Sequence, residues 1–131
     1  MLRAGYFSSQ RELLVDGRRR DYEQFAAAVR QAIGSAGNIP LSVKSTGDTQ
    51  VSRFIVRSGM PPNRVTYEGS DVVFSIAPSL ENQFLSFIQF PPDSELPGSP
   101  VQYHHHYDGV ADDGTFVAPD SLPVVFGLER L

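Results

Sequence analysis

Four short strand-like segments between residues 39 and 77 constrain the fold more than any other feature of the chain. They read IPLSVKS, QVSRFIVRS, NRVTYEG and DVVFSIA, and turn-forming residues separate them at TGD, SGMPPN and EGS. Connections this short cannot hold the helix that usually links parallel neighbours in a crossover. We therefore predict that these strands pair as an antiparallel meander.

Two segments with helical spacing of their apolar residues flank these strands. In DYEQFAAAVRQAIG, residues 21–34, the apolar positions are Tyr22, Phe25, Val29 and Ile33. Asp21 is placed to cap the first turn, and Gly34 is placed to end the helix in the left-handed conformation. In PSLENQFLSFIQFPPD, residues 78–93, the apolar positions are Leu80, Phe84, Phe87 and Ile88. Ser79 is placed to begin this second helix, and the two prolines end it.

These elements predict an α+β fold in a single globular domain over residues 1–131, with one mostly antiparallel β-sheet and two α-helices packed on one face. The length suits one core. The composition, 40% hydrophobic with nine Phe and five Tyr, is too apolar for a disordered chain. The sequence has no apolar run of membrane-spanning length, so we expect no membrane association.

The chain contains no cysteine, which excludes disulfides, thiolate catalysis and cysteine-ligated zinc. Its first 17 residues, MLRAGYFSSQRELLVDG, lack the apolar core of a secretory signal peptide. We therefore expect a cytoplasmic protein.

Charge is unevenly distributed along the sequence. Residues 91–131 carry one Arg against seven Asp or Glu, whereas residues 1–90 carry ten Lys or Arg against eight acidic residues. An acidic region repels phosphate backbones, so we expect no nucleic-acid partner. The same charge favours association with a basic protein.

Every histidine of the chain lies in YHHHYDG, residues 103–109. Side chains alternate along a strand, so these residues fall on two faces. One face carries His104, His106 and Asp108, and the other carries Tyr103, His105 and Tyr107. Two imidazoles two positions apart, with a carboxylate beside them, are one arrangement that holds a divalent metal. A solvated strand, or one that contacts a partner, has the same pattern, and the residues leave these interpretations open.

Motifs of the common enzyme classes are absent from the sequence. It has no GxSxG elbow, no Walker loop, no GxGxxG and no HExxH. No cofactor is therefore expected. Catalysis, if the chain has any, would rest on a metal held by the histidine strand.

Three segments, LLVDGRRRDYEQFAAAVRQAI, VQYHHHYD and APDSLPVVFGLE, carry a resemblance to a known family. In their content and order the chain resembles small α+β immunity proteins of bacterial polymorphic toxin systems, especially the family called immunity protein 32. The resemblance implies an intracellular inhibitor that binds a cognate secreted toxin and blocks its active site or the access of its substrate.

We therefore expect a non-catalytic binding protein of the immunity type, whose partner is a cognate bacterial toxin. The expected contact residues are Tyr103, His104, His106, Tyr107, Asp108, Asp112 and Asp113. Two alternatives stay open. One is a small metal-dependent enzyme with His104, His106 and Asp108 as the metal ligands, and the other is a structural module that self-associates.

Overall fold

The computed structural model describes residues 1–92, 103–109 and 114–129. Within this part of the chain, nine strands and two α-helices follow one another. Their bounds are β1 Arg3–Phe7, β2 Glu12–Gly17, α1 Arg19–Ser35, β3 Asn38–Ser42, β4 Lys44–Ser45, β5 Arg53–Ser58, β6 Arg64–Glu68, β7 Asp71–Ile76, α2 Glu81–Leu85, β8 Tyr103–Tyr107 and β9 Val124–Leu128. The predicted α+β class is confirmed. None of the described helices has the length and apolar character needed to cross a membrane.

The strands form two mixed sheets, so the prediction of a single, mostly antiparallel sheet is wrong. Sheet A has the order β4-β1-β2-β9-β8, and sheet B has the order β3-β5-β7-β6. Sheet A contains the parallel pairs β1–β4 and β2–β9, and its other pairs are antiparallel. Sheet B contains the parallel pair β5–β7 between two antiparallel pairs.

The predicted antiparallel meander is wrong because β5 and β7 are parallel neighbours, and the chain between them forms the strand β6 rather than a helix. β7 lies between β5 and β6 and is parallel to β5. The antiparallel strand β6 therefore returns the chain at the edge of the sheet before β7 enters the middle. The short turns on either side of β6 are sufficient for this path, although they are too short for a helix.

The two sheets and both helices share one core of aromatic rings. The ring of Phe25 on α1 lies 5.7 Å from Phe54 on β5 and 5.1 Å from Phe74 on β7, between ring centroids. It also lies 5.8 Å from Phe84 on α2 and 6.1 Å from Phe126 on β9. All five rings are fully buried. Edge-to-face and tilted contacts of this kind add stability beyond the area that the rings bury.

α1 begins two residues earlier and ends one residue later than the predicted span. The backbone N–H of Arg18, the residue before the helix, donates to Asp21 Oδ2 at 2.9 Å, which makes Asp21 the reciprocal half of a capping box. Burial acts to raise the pKa of Asp21, but this hydrogen bond and the N-terminal ammonium hold it below its ordinary value. The left-handed residue that ends the helix is Ala36, not the predicted Gly34.

α2 is shorter than the predicted second helix. A 3₁₀ turn, Pro78–Leu80, leads into Glu81–Leu85, and Ala77 rather than Ser79 precedes that turn. The apolar residues that follow, including Phe87 and Phe90, have left the helix. Their rings pack against β8 instead. The N–H groups of Phe87 and Ile88 donate to the carbonyls three residues back, so the chain continues in turns where the sequence spacing predicted a longer α-helix.

Candidate functional site

β8 presents two chemically different faces, as the alternation in YHHHY predicted. His104 and His106 are exposed, whereas Tyr103 and His105 are half-buried and Tyr107 is buried. β8 is an edge strand of sheet A and pairs antiparallel with β9.

The inner face of β8 is fastened to the segment after α2. The His105 ring stacks on Phe90, with 4.8 Å between ring centroids and 6° between planes. Its Nδ1 lies 2.9 Å from the Phe87 carbonyl oxygen. A carbonyl can only accept, so Nδ1 of His105 carries the proton and donates. The Tyr103 ring meets Phe90 edge-on at 6.1 Å.

Tyr107, expected as a contact residue, belongs to the core. It is 0% exposed, and its ring lies 4.9 Å from Phe87 and 5.2 Å from Phe84. Its hydroxyl accepts a hydrogen bond of 3.0 Å from Nδ2 of the fully buried Asn63. A partner cannot reach this side chain in the folded protein, so Tyr107 is removed from the contact set. Asn63 gave no sign of this role in the sequence, because it reads as a turn residue after Pro62.

The outer face of β8 continues across three strands of sheet A. His104 lies opposite Gly127 on β9, which lies opposite Asp16 on β2. A Cβ atom added to Gly127 would come within 3.0 Å of His104 Cδ2 and 3.6 Å of Asp16 Cβ. The His104 ring therefore lies over Gly127, on the same face of the sheet as Asp16.

At the β1 end of this row, Arg3 forms ion pairs with two carboxylates. Arg3 Nε donates to Asp16 Oδ1 at 2.6 Å, and Arg3 Nη2 donates to Glu129 Oε2 at 2.7 Å and also to Asp16. The hydrogen bond to Asp16 raises the pKa of Arg3 above its ordinary value, because the carboxylate stabilises the charged guanidinium. The charges at this end of the face are thus fixed in position by one another.

Apolar side chains form the neighbouring row. His106 lies opposite Val125 on β9, and Val125 lies opposite Leu14 on β2. Leu14 is 37% exposed, and Val125 is half-buried. The two rows together form a surface that we call the outer patch, which consists of Arg3, Leu14, Asp16, His104, His106 and Val125.

Sequence reasoning found only the two histidines of the outer patch. The other members come from strands at opposite ends of the chain, and only the pairing of β2 with β9 brings them together. The alternation in ELLVDG does mark Leu14 and Asp16 as one face of a strand, but it cannot say whether that face is covered.

The three predicted metal ligands do not come together within one chain. Among the described residues, no group of three or more His, Asp or Glu side chains is arranged to hold a metal ion. His104, His106 and Asp108 are all described, so they do not form the three-ligand set of the enzyme alternative. Asp112 and Asp113 lie outside the described residues.

In comparisons with protein-family models, curated proteins and solved structures, nothing matches the chain.

Proposed function

We propose that this chain is a non-catalytic binding protein of the immunity type, which neutralises a bacterial toxin by binding it through the outer patch. The observation that carries the proposal is a sheet face that no helix of the described residues covers, in which the exposed Leu14 and the half-buried Val125 lie beside paired charges and imidazoles. In the described part of the chain, the helices contact sheet A from the other side, through Phe126 and the inner residues of β8.

The composition of the outer patch is typical of an interface rather than of an ordinary solvated strand. Leu14 and Val125 supply an apolar centre that a partner could desolvate. Arg3 and Asp16 lie beside it and fix orientation through directional hydrogen bonds. An apolar centre with polar groups around it is the usual arrangement of a protein interface.

The outer patch is also rigid. Its members stand on regular strands, and the opposite faces of β2 and β9 bury Leu13, Val15 and Phe126 in the core. A surface held in this way loses little conformational entropy when a partner binds, which favours tight association.

Charge supports a basic partner. Residues 91–131 carry one Arg against seven acidic residues. The Asp16 carboxylate belongs to the outer patch, and the Glu129 carboxylate lies beside it on Arg3. Complementary charge accelerates encounter and selects among partners. A toxin that acts on an anionic substrate such as nucleic acid has a basic active-site surface, which this charge would complement.

The test begins with purification of the tagged protein from the cells that produce it, followed by identification of any stoichiometric partner. The partner is then produced alone and together with this chain. An immunity protein restores growth that the partner arrests. A partner whose production leaves growth unaffected would contradict the proposal.

The surface is tested with Leu14→Arg and a matched control, Ile55→Arg. Both residues are apolar, lie in the middle of a strand and are accessible to solvent, but Ile55 lies on sheet B. A central contact residue contributes about 2 kcal/mol or more, so Leu14→Arg should weaken binding by about 30-fold or more. Ile55→Arg should leave the Kd unchanged. Equal effects of the two variants would show that the outer patch is not the contact surface.

A further inference from the structure

The sequence of β8 is symmetric, because YHHHY reads the same in both directions. β8 is also the terminal strand of sheet A, with β9 as its neighbour, and no other strand of the described residues lies beyond it. A symmetric strand at a sheet edge can pair antiparallel with a second copy of itself in perfect register.

β8 differs from the other sheet edges in lacking the features that discourage such pairing. Edge strands are commonly protected by shortness, proline or charged side chains. β4 has two residues, β3 contains Pro40, and β6 carries Arg64 and Glu68. β8 has five residues, with neither proline nor a carboxylate, lysine or arginine.

Antiparallel pairing about a two-fold axis at His105 fixes which residues meet. Tyr103 comes opposite Tyr107 of the second copy, and His104 comes opposite His106 of the second copy. Opposed residues of paired strands lie on the same side of the sheet, with Cβ atoms about 4.5–5.5 Å apart. The imidazoles of His104 and His106 from both copies therefore share the outer face around the two-fold axis. The His104 ring, which lies over Gly127 of β9 in the single chain, turns toward the second copy when the strands pair.

We propose that a second copy of this chain pairs antiparallel along β8, and that the four imidazoles of His104 and His106 hold a divalent transition-metal ion, of which zinc is the test case. Imidazole nitrogen is a preferred ligand of zinc, at about 2.0–2.1 Å. One chain supplies only two imidazoles on this face, so the site is incomplete without the second copy. This explains how the HxH pattern serves a metal although a single chain gathers no three-ligand group.

The inner face of β8 prepares the strand for this pairing. His105 and Tyr103 are held against Phe90, and the Phe87 carbonyl accepts the hydrogen bond from His105. The strand is thus extended before a second copy arrives, and little ordering is needed on association. The inference goes beyond the proposed function, because it concerns self-association and requires no toxin.

The first test measures the molar mass of the chain by light scattering, without a histidine tag, in the presence of zinc or of a chelator. We expect 14.4 kDa with chelator and twice that mass with zinc. Zinc at about 100 times its Kd for the dimer strengthens dimerisation about 100-fold. A mass that stays at 14.4 kDa in zinc would overturn the proposal.

The matched variants are His106→Ala and His105→Asn. His106→Ala removes two of the four imidazoles, and zinc should no longer produce the dimer. His105→Asn removes an imidazole from the same strand but from the inner face, and its amide retains a donor toward the Phe87 carbonyl. This variant should dimerise with zinc as the wild type does. If both variants respond alike to zinc, the outer imidazoles are not the ligands.

A second measurement tests the register without zinc, because a disulfide traps two chains even when they pair only transiently. The chain has no cysteine, so a disulfide can form only where it is introduced. An equal mixture of His104→Cys and His106→Cys chains, oxidised with glutathione disulfide, should yield a covalent dimer that joins one chain of each kind. Each variant alone should not, because the same residue of the two copies lies two positions out of register. Equal cross-linking in the mixture and in the single variants would refute antiparallel pairing along β8.

Discussion

Replacement of Asn63 by alanine should destabilise the protein more than any other single loss of a polar side chain described above. Asn63 is 0% exposed. Its Nδ2 donates to the Tyr107 hydroxyl at 3.0 Å, and its Oδ1 accepts from the Ala77 N–H at 2.7 Å. Its backbone exchanges two further bonds of 2.8 Å with Phe116 and Ala118, and alanine leaves these in place.

The size of the stability loss follows from the two buried groups that would lose their hydrogen-bond partner. The Ala77 N–H would lose its acceptor in a buried site, at a cost of about 1–3 kcal/mol. The Tyr107 hydroxyl would lose a donor, and a neutral hydrogen bond contributes about 1 kcal/mol. We therefore expect the free energy of unfolding to fall by about 2–4 kcal/mol, out of about 5–15 kcal/mol for a domain of this kind.

Urea unfolding of Asn63→Ala, Tyr107→Phe and the double variant measures both the loss and the coupling. The m-value should stay constant while the midpoint falls. Tyr107→Phe should cost about 1 kcal/mol alone and clearly less when Asn63 is already absent, because the two side chains share one bond. A loss below about 1 kcal/mol for Asn63→Ala, or additive effects within about 0.3 kcal/mol, would refute this reasoning.

Thermal and urea unfolding check three other substitutions. Asp21→Ala should cost about 1 kcal/mol at neutral pH, since it removes the capping box. The folded pKa of Asp21 lies below its unfolded value of about 3.9, so the wild-type advantage is complete above that pH and disappears as pH falls through the folded pKa. Gly34→Ala should raise stability by about 0.5–1 kcal/mol, because no heavy atom of the described residues lies within 4 Å of the added Cβ. Gly47→Ala should lower stability by about 2 kcal/mol or more, because its Cβ would overlap the backbone carbonyl oxygen of Tyr6.

Local patterns in the sequence predicted local structure well. The spacing of apolar residues located α1, turn residues bounded the segment that forms β5, and alternation identified the two faces of β8. The C-terminal end of α1 was less predictable. Glycine favours the left-handed conformation that ends a helix, yet the residue that adopts it is Ala36 rather than Gly34. The second helix was overestimated, because the spacing of Phe87 cannot distinguish helical packing from contact with a distant strand.

The sheet arrangement could not be predicted, because it depends on contacts between distant segments. Short turns around β6 suggested nearest-neighbour pairing, yet β5 pairs with β7. The outer patch has the same origin, since Leu14 and Val125 are adjacent only through a parallel pairing. Sequence could thus place His104 and His106 on one face of a strand but could not say which side chains lie beside them.

The parallel pairing of β2 with β9 determines which sheet can form first as the chain is synthesised. Leu13 lies opposite Val124, so sheet A joins segments separated by most of the chain. Sheet B, in contrast, is built from residues 38–76 alone. During synthesis the strands of sheet B can pair early. β2 has no β9 to pair with until β9 has left the ribosome. Distant pairing of this kind slows folding, and it leaves the edge of β2 exposed to other chains until β9 has been synthesised.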